Sequence, residues 1–129
     1  EVVTSGTRYR SRLLVRRPAS AARFNGVAIV EWLNVTNGYD TDVLWLYQKE
    51  FFVREGYAWI GVSVQDGGVS RVPNGIKVWN PARYGSLDLA GGGKVTDASL
   101  NFDIFSQAGA AARRVPELTV LKRPRLVAA

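Results

Sequence analysis

Two apolar runs constrain this chain more than anything else in it: "VAIVEWL" at 27–33 and "YAWIGVSV" at 57–64. Neither alternates polar with apolar. A strand that is apolar on both faces has to be covered on both faces, which is the habit of strands inside a parallel sheet. The residues between the runs have helical spacing. Asp40, Thr41 or Asp42 is suited to the N-cap, where an acidic group also meets the positive end of the helix dipole. Val43, Leu46, Tyr47, Glu50, Phe51 and Arg54 recur at the helical period and predict the inward face, with Leu44 and Phe52 widening it. Gly56 then closes the helix from a left-handed C′ position. Strand, helix and strand at this spacing predict a right-handed crossover between two parallel strands.

The flanking segments extend that unit. "YRSRLLVRRP" at 9–18 alternates, with Tyr9, Ser11, Leu13 and Val15 on one side and Arg10, Arg12, Leu14 and Arg16 on the other. That is a half-exposed strand stopped by Pro18. Residues 19–26 read as a turn, and "NVTNGYD" at 34–40 as a loop of turn formers. Residues 65–101 form a long irregular connection, with one short helix expected from Asn80-Pro81. A connection of that length usually serves function or covers a site. "FDIFSQAGAAARR" at 102–114 predicts a helix with Ile104, Phe105, Ala108, Ala111 and Ala112 inward, ended by Pro116. "TVLKRPRLVAA" leads into a third buried strand. The fold class is therefore α/β, a mostly parallel sheet with flanking helices.

At 129 residues the chain is one domain or part of one. It has no cysteine, which removes disulfides and thiolate chemistry, and no histidine, which removes the commonest general base. No complete Ser-His-Asp triad is encoded in these residues. The net charge of +6 is concentrated at two places. Residues 1–23 carry six arginines against Glu1, and Arg113, Arg114, Lys122, Arg123 and Arg125 stand against Glu117. The arginines are not interleaved with aromatics, and no helix-turn-helix or finger spacing occurs, so solvated strand edges and helix ends are expected rather than a nucleic-acid surface. No apolar run reaches the length of a membrane span.

In open α/β sheets the site lies at the carboxyl ends of the strands. The candidates are Leu33-Asn34-Val35, Val64-Gln65-Asp66, and the end of the strand that reaches Ala129. "NVT" at 34–36 matches a glycosylation triplet, but one tucked into a strand-end crevice is a poor acceptor. "GGG" at 91–93 lacks the strand before and the Lys-Ser/Thr after that a phosphate loop requires. Glu31, inside a buried strand, needs a partner, expected among the nearby arginines, or else it orients the site loop. The four tryptophans read as core. Ser63, Ser86 and Ser106 lack the Gly-x-Ser-x-Gly context of an activated nucleophile. Neither a metal nor a cofactor is expected.

"RLLVRRPASAARFNGVAIVEWLNVTNGYD", "FFVREGYAWIGVSVQ", "NPARYGSLDL" and "FDIFSQAG" resemble the N-terminal half of bacterial alpha/beta-hydrolase-domain proteins with the strand motif V-E-W-L-N-V. The resemblance runs from about Tyr9 to Ala129. It implies a partial hydrolase domain over 1–129, with carboxylic ester hydrolysis as the chemistry and a last strand that leads into a nucleophile elbow. The nucleophile, triad acid and triad histidine have no counterpart here. What carries over is the oxyanion side: a backbone N–H from the loop beginning at Leu33-Asn34-Val35, with Asn34 favoured and Leu33 and Val35 beside it. Gln65 and Asp66 would line the acyl pocket. A second polypeptide or a continuation of the domain would cover Leu126–Ala129, and the substrate would be a small ester. Relatives of this kind are often exported, to the periplasm or beyond, although no residue here marks a compartment. The competing readings are a non-catalytic, truncated hydrolase-like binding module and a basic nucleic-acid-binding domain.

Overall fold

The computed structural model describes residues 5–95, 97–114 and 124–129. Four strands form one sheet: β1 (Leu13–Arg16), β2 (Val27–Trp32), β3 (Ala58–Val62) and β4 (Arg125–Ala128), in the order β1-β3-β2-β4. β2 is parallel to both β3 and β4, and β1 is antiparallel to β3. The apolar runs at 27–33 and 57–64 supply the two central strands. β3 is buried along its whole length and β2 along most of it, as continuous apolar strands require.

Each face of the sheet has its own cover. Ala28, Val30, Ile60 and Val62 pack with Ile104, Ala108 and Ala112 of α5 (Ser99–Ala112). On the other face Ile29, Leu33 and Trp59 pack with Phe52 of α1 (Val43–Glu55). Burying a side chain of this size contributes about 1.5–3 kcal/mol. β1 alternates as expected: Leu13 and Tyr9 lie on the α5 side, Leu14 on the α1 side. The connection after β3 folds into three single-turn helices, α2 (Asp66–Val69), α3 (Ile76–Trp79) and α4 (Pro81–Tyr84). α4 starts where Asn80-Pro81 predicts, and the Asn80 side chain accepts from the Arg83 N–H at 3.0 Å. Gly56 ends α1 at φ +76°, its N–H donating to the Phe52 carbonyl. No helix among the described residues is long and apolar enough to cross a membrane.

Two expectations need correction. α1 turns a different face to the sheet: Leu44, Trp45 and Phe52 pack inward, while Leu46 and Tyr47 are 51 and 81% exposed and Val43 and Phe51 are also exposed. The helix is apolar nearly all round, so spacing alone selects no face; the tilted contact of Trp45 with Trp59, ring centres 5.5 Å apart, does. β4 was expected to be buried. Among the described residues it is an edge strand paired with β2 alone, with Leu126 half-buried and Val127 exposed. The expected stop at Pro116 lies outside the described residues, and α5 itself ends at Ala112.

Candidate active site

Glu31 anchors the region. Its residue is only 4% exposed, and such a carboxylate must find donors. They are not arginines. Oε1 accepts from the Leu44 N–H at 2.8 Å; Oε2 accepts from the Trp45 N–H at 3.2 Å and the Trp59 indole N–H at 2.7 Å. Asp42 holds the N-cap position of α1 but makes no side-chain cap. A strand residue therefore caps the helix, placing negative charge at its positive end. Asp42 instead lies 2.7 Å from the Arg16 guanidinium, off the hydrogen-bonding direction.

The loop between β2 and α1 is closed on itself. Asn34 and Thr41 exchange both backbone bonds, at 3.0 and 2.8 Å. Inside that bridge the Asn34 side chain accepts from the Thr36 N–H at 2.9 Å, and the Gly38 N–H donates to the Val35 carbonyl at 2.9 Å. Gly38 has φ +81°, a conformation that suits glycine. Asn34 is exposed rather than tucked away.

Three side chains tie this loop to the neighbouring strands. Asp40, whose side chain is fully buried, accepts from Arg12 Nη2 at 2.9 Å and from the Ser63 hydroxyl on the same oxygen, Oδ2. Arg12 Nε donates in turn to Ser63 Oγ at 3.1 Å. The other oxygen, Oδ1, is buried without a hydrogen bond and lies against Gly68, where an added Cβ would fall 2.2 Å from it. Burial pushes the Asp40 carboxyl above the usual carboxylate range, opposed by the Ser63 hydrogen bond and the Arg12 charge. The sequence patterns place Asp40 at a helix cap, Arg12 on one face of the first strand and Ser63 outside a nucleophile context, and do not join the three. The usable signal is an aspartate in the loop between the first buried strand and its helix, with a serine just past the second buried strand.

The sheet order brings the decisive groups together. β4 lies beside β2 in parallel, with the Trp32 N–H donating to the Ala129 carbonyl at 2.9 Å. The carboxyl end of β4 therefore emerges next to the 34–41 loop. A cavity of about 570 Å³ opens there, lined by Glu31, Trp32, Asn34, Leu44, Tyr47 and Ala129 among others. Of the three loop amides, Leu33 donates to the Val62 carbonyl and Asn34 to the Thr41 carbonyl. The Val35 N–H has no intramolecular partner among the described residues. Gln65 and Asp66 stand elsewhere: Gln65 accepts from the Trp32 indole at 3.2 Å, and exposed Asp66 accepts from the Ser70 hydroxyl at 2.7 Å. Neither lines that cavity, nor do Leu33 and Val35; of the three loop residues Asn34 does. Among the described residues no cluster of three or more His, Cys, Asp or Glu could hold a metal ion.

An alpha/beta hydrolase domain model matches residues 1–129. The chain belongs to the alpha/beta hydrolase domain family. No curated protein and no solved structure shows significant similarity to it. In this hydrolase-domain chain the mostly parallel sheet and its flanking helices are those of the family, and the strand-end loop, the β4 terminus and the cavity between them lie where ligands of open α/β sheets bind.

Proposed function

We propose that this chain supplies the oxyanion side of a serine-type carboxylic ester hydrolase, with the nucleophile and the histidine contributed by residues beyond this sequence, in a continuation of the domain or a second polypeptide. The observation that carries the reading is the adjacency of the β4 carboxyl end and the 34–41 loop across the Trp32–Ala129 hydrogen bond. Hydrolases of this fold present the nucleophile at a strand end and draw one oxyanion donor from the loop after a nearby strand. In this arrangement Val35 is the donor, because its N–H is uncommitted while those of Leu33 and Asn34 are held by the backbone. Asn34 shapes the loop through its side chain. The ester enters the cavity beside Tyr47 and Leu44, and the contributed segment covers Leu126–Ala129. Gln65 and Asp66 act from outside, Gln65 by holding the Trp32 indole.

The chain alone has no histidine to activate a nucleophile, and its Ser63 hydroxyl is buried and donated to Asp40. The isolated chain is therefore expected to hydrolyse p-nitrophenyl acetate no faster than buffer; turnover above that rate would refute the division of labour. In the chain joined to a segment carrying the nucleophile and histidine, replacing the Asn34–Val35 amide by an ester removes the Val35 N–H, and also weakens the Asn34 carbonyl that accepts from Thr41. Loss of one such donor lowers kcat about 10²–10³-fold, and an unchanged kcat would remove Val35 from the role.

A further inference from the structure

A second cavity lies at the opposite end of the sheet from Asn34 and Ala129. β1 runs antiparallel to β3, so Arg16 pairs with Trp59, and Arg16 and Arg17 come out where β3 begins. Here a space of about 300 Å³ is lined by Arg16, Arg17 and Arg23 and by Trp45, Val53 and Tyr57. No acidic side chain lines it. Arg16 is already engaged: it is paired with Asp42, and its guanidinium sits 4.6 Å from the Trp45 ring centre and 4.4 Å from that of Trp59. Among the described residues Arg17 donates only to the Pro18 carbonyl, at 3.1 Å. The Arg23 side chain has no hydrogen bond or ion pair among the described residues. Two guanidinium groups without a carboxylate thus share one concave surface with aromatic and aliphatic walls.

The position of Arg23 is built into the fold. Its carbonyl oxygen lies so close to Gly56 that a Cβ there would fall 2.1 Å from it. The next turn is stitched to the end of α1 and its following glycine: the Asn25 N–H donates to the Gly56 carbonyl at 3.0 Å and the Asn25 side chain to the Glu55 carbonyl at 2.8 Å. The Ser20 hydroxyl accepts from the Ala22 N–H within the same segment. The backbone that carries Arg23 is therefore held in place, and Arg17 directly follows the last residue of β1.

We propose that this cavity binds an organic anion, its carboxylate or phosphate head between Arg17 and Arg23 and a flat apolar body against Trp45, Val53 and Tyr57. Guanidinium groups recognise both heads with charge-assisted hydrogen bonds, and the walls select against a bare inorganic ion. The site stands apart from the ester-hydrolase reading and survives its failure. Calorimetric titration of the 129-residue chain with benzoate, phenyl phosphate, inorganic phosphate and benzyl alcohol tests it, with the Trp45 indole NMR signal as local reporter. At least one aryl anion should bind saturably and shift that signal, the tighter of the two identifying the head group. R17Q/R23Q should weaken binding by about tenfold or more. V53E should do the same at a position already 61% exposed, placing a carboxylate in the wall without touching either arginine. The proposal is overturned by any of four results: no saturable binding, equal affinity for benzyl alcohol, equal affinity for inorganic phosphate, or unaltered binding in both variants.

Discussion

Asp40 shows how much one carboxylate can be asked to do. It joins the site loop to Arg12 before β1 and to Ser63 after β3, with one oxygen occupied twice and the other unused. Because burial is the largest influence, its folded pKa is raised above the ordinary 3.8. The folded state then holds this proton more tightly than the unfolded state, so the Asp40 contribution to stability is full below pH 3.8 and is lost as pH rises through the folded value. D40N removes that titration. Its unfolding free energy, followed by urea melts from pH 3 upward, should lack the decline that the parent shows as pH rises above 3.8 and through the folded value; matching slopes would mean that Asp40 is not the group responsible. Asp97 acts oppositely, lowered by the Ser99 side-chain and backbone hydrogen bonds. Its support is present above 3.8 and disappears in acid, in a pH range below the one Asp40 governs.

At the level of elements, the strand–helix–strand unit was legible because its signals are local: two unbroken apolar runs, a left-handed glycine at 56, and Asn80-Pro81 opening α4. What stayed hidden depends on partners far apart in sequence. The rotation of α1 follows from Trp45 meeting Trp59 and from Glu31 reaching the helix start, and neither leaves a periodic trace. The exposure of β4 was equally invisible, since "RLVA" reads the same at an edge and in an interior. In the site, the strand-end loop was legible from topology, but the selection among Leu33, Asn34 and Val35 rests on which amides the backbone already uses. Glu31 is the element-scale test. E31A strips acceptors from two helix-start amides and a buried indole, and should cost about 3 kcal/mol or more in urea unfolding. E31Q keeps one acceptor oxygen and should lose less. A change below about 0.5 kcal/mol for E31A, the size of an ordinary surface substitution, would show that α1 is held by its apolar contacts alone.

On the scale of the whole molecule, the strand at one end of the sheet has no second neighbour among the described residues. β4 offers its outer edge, and Val127, 44% exposed, shares the α1 face of the sheet with exposed Val43 and Tyr47 near the 570 Å³ cavity. Open apolar edges of this kind invite pairing between chains. Sedimentation of the isolated chain should show a mass that rises with concentration, and V127K should return it toward the monomer; an ideal monomer at every concentration would mean that this edge is inert. The strand order also sets a timetable. β1, β2 and β3 are complete once Val62 has been made, yet β2 receives its last neighbour only with Arg125, 63 residues later (125 minus 62). At about 5–20 residues per second, a ribosome leaves that flank of β2 bare for roughly 3–13 s. For that interval the nascent chain displays a strand lacking its neighbour, a target for the chaperones that meet emerging polypeptides.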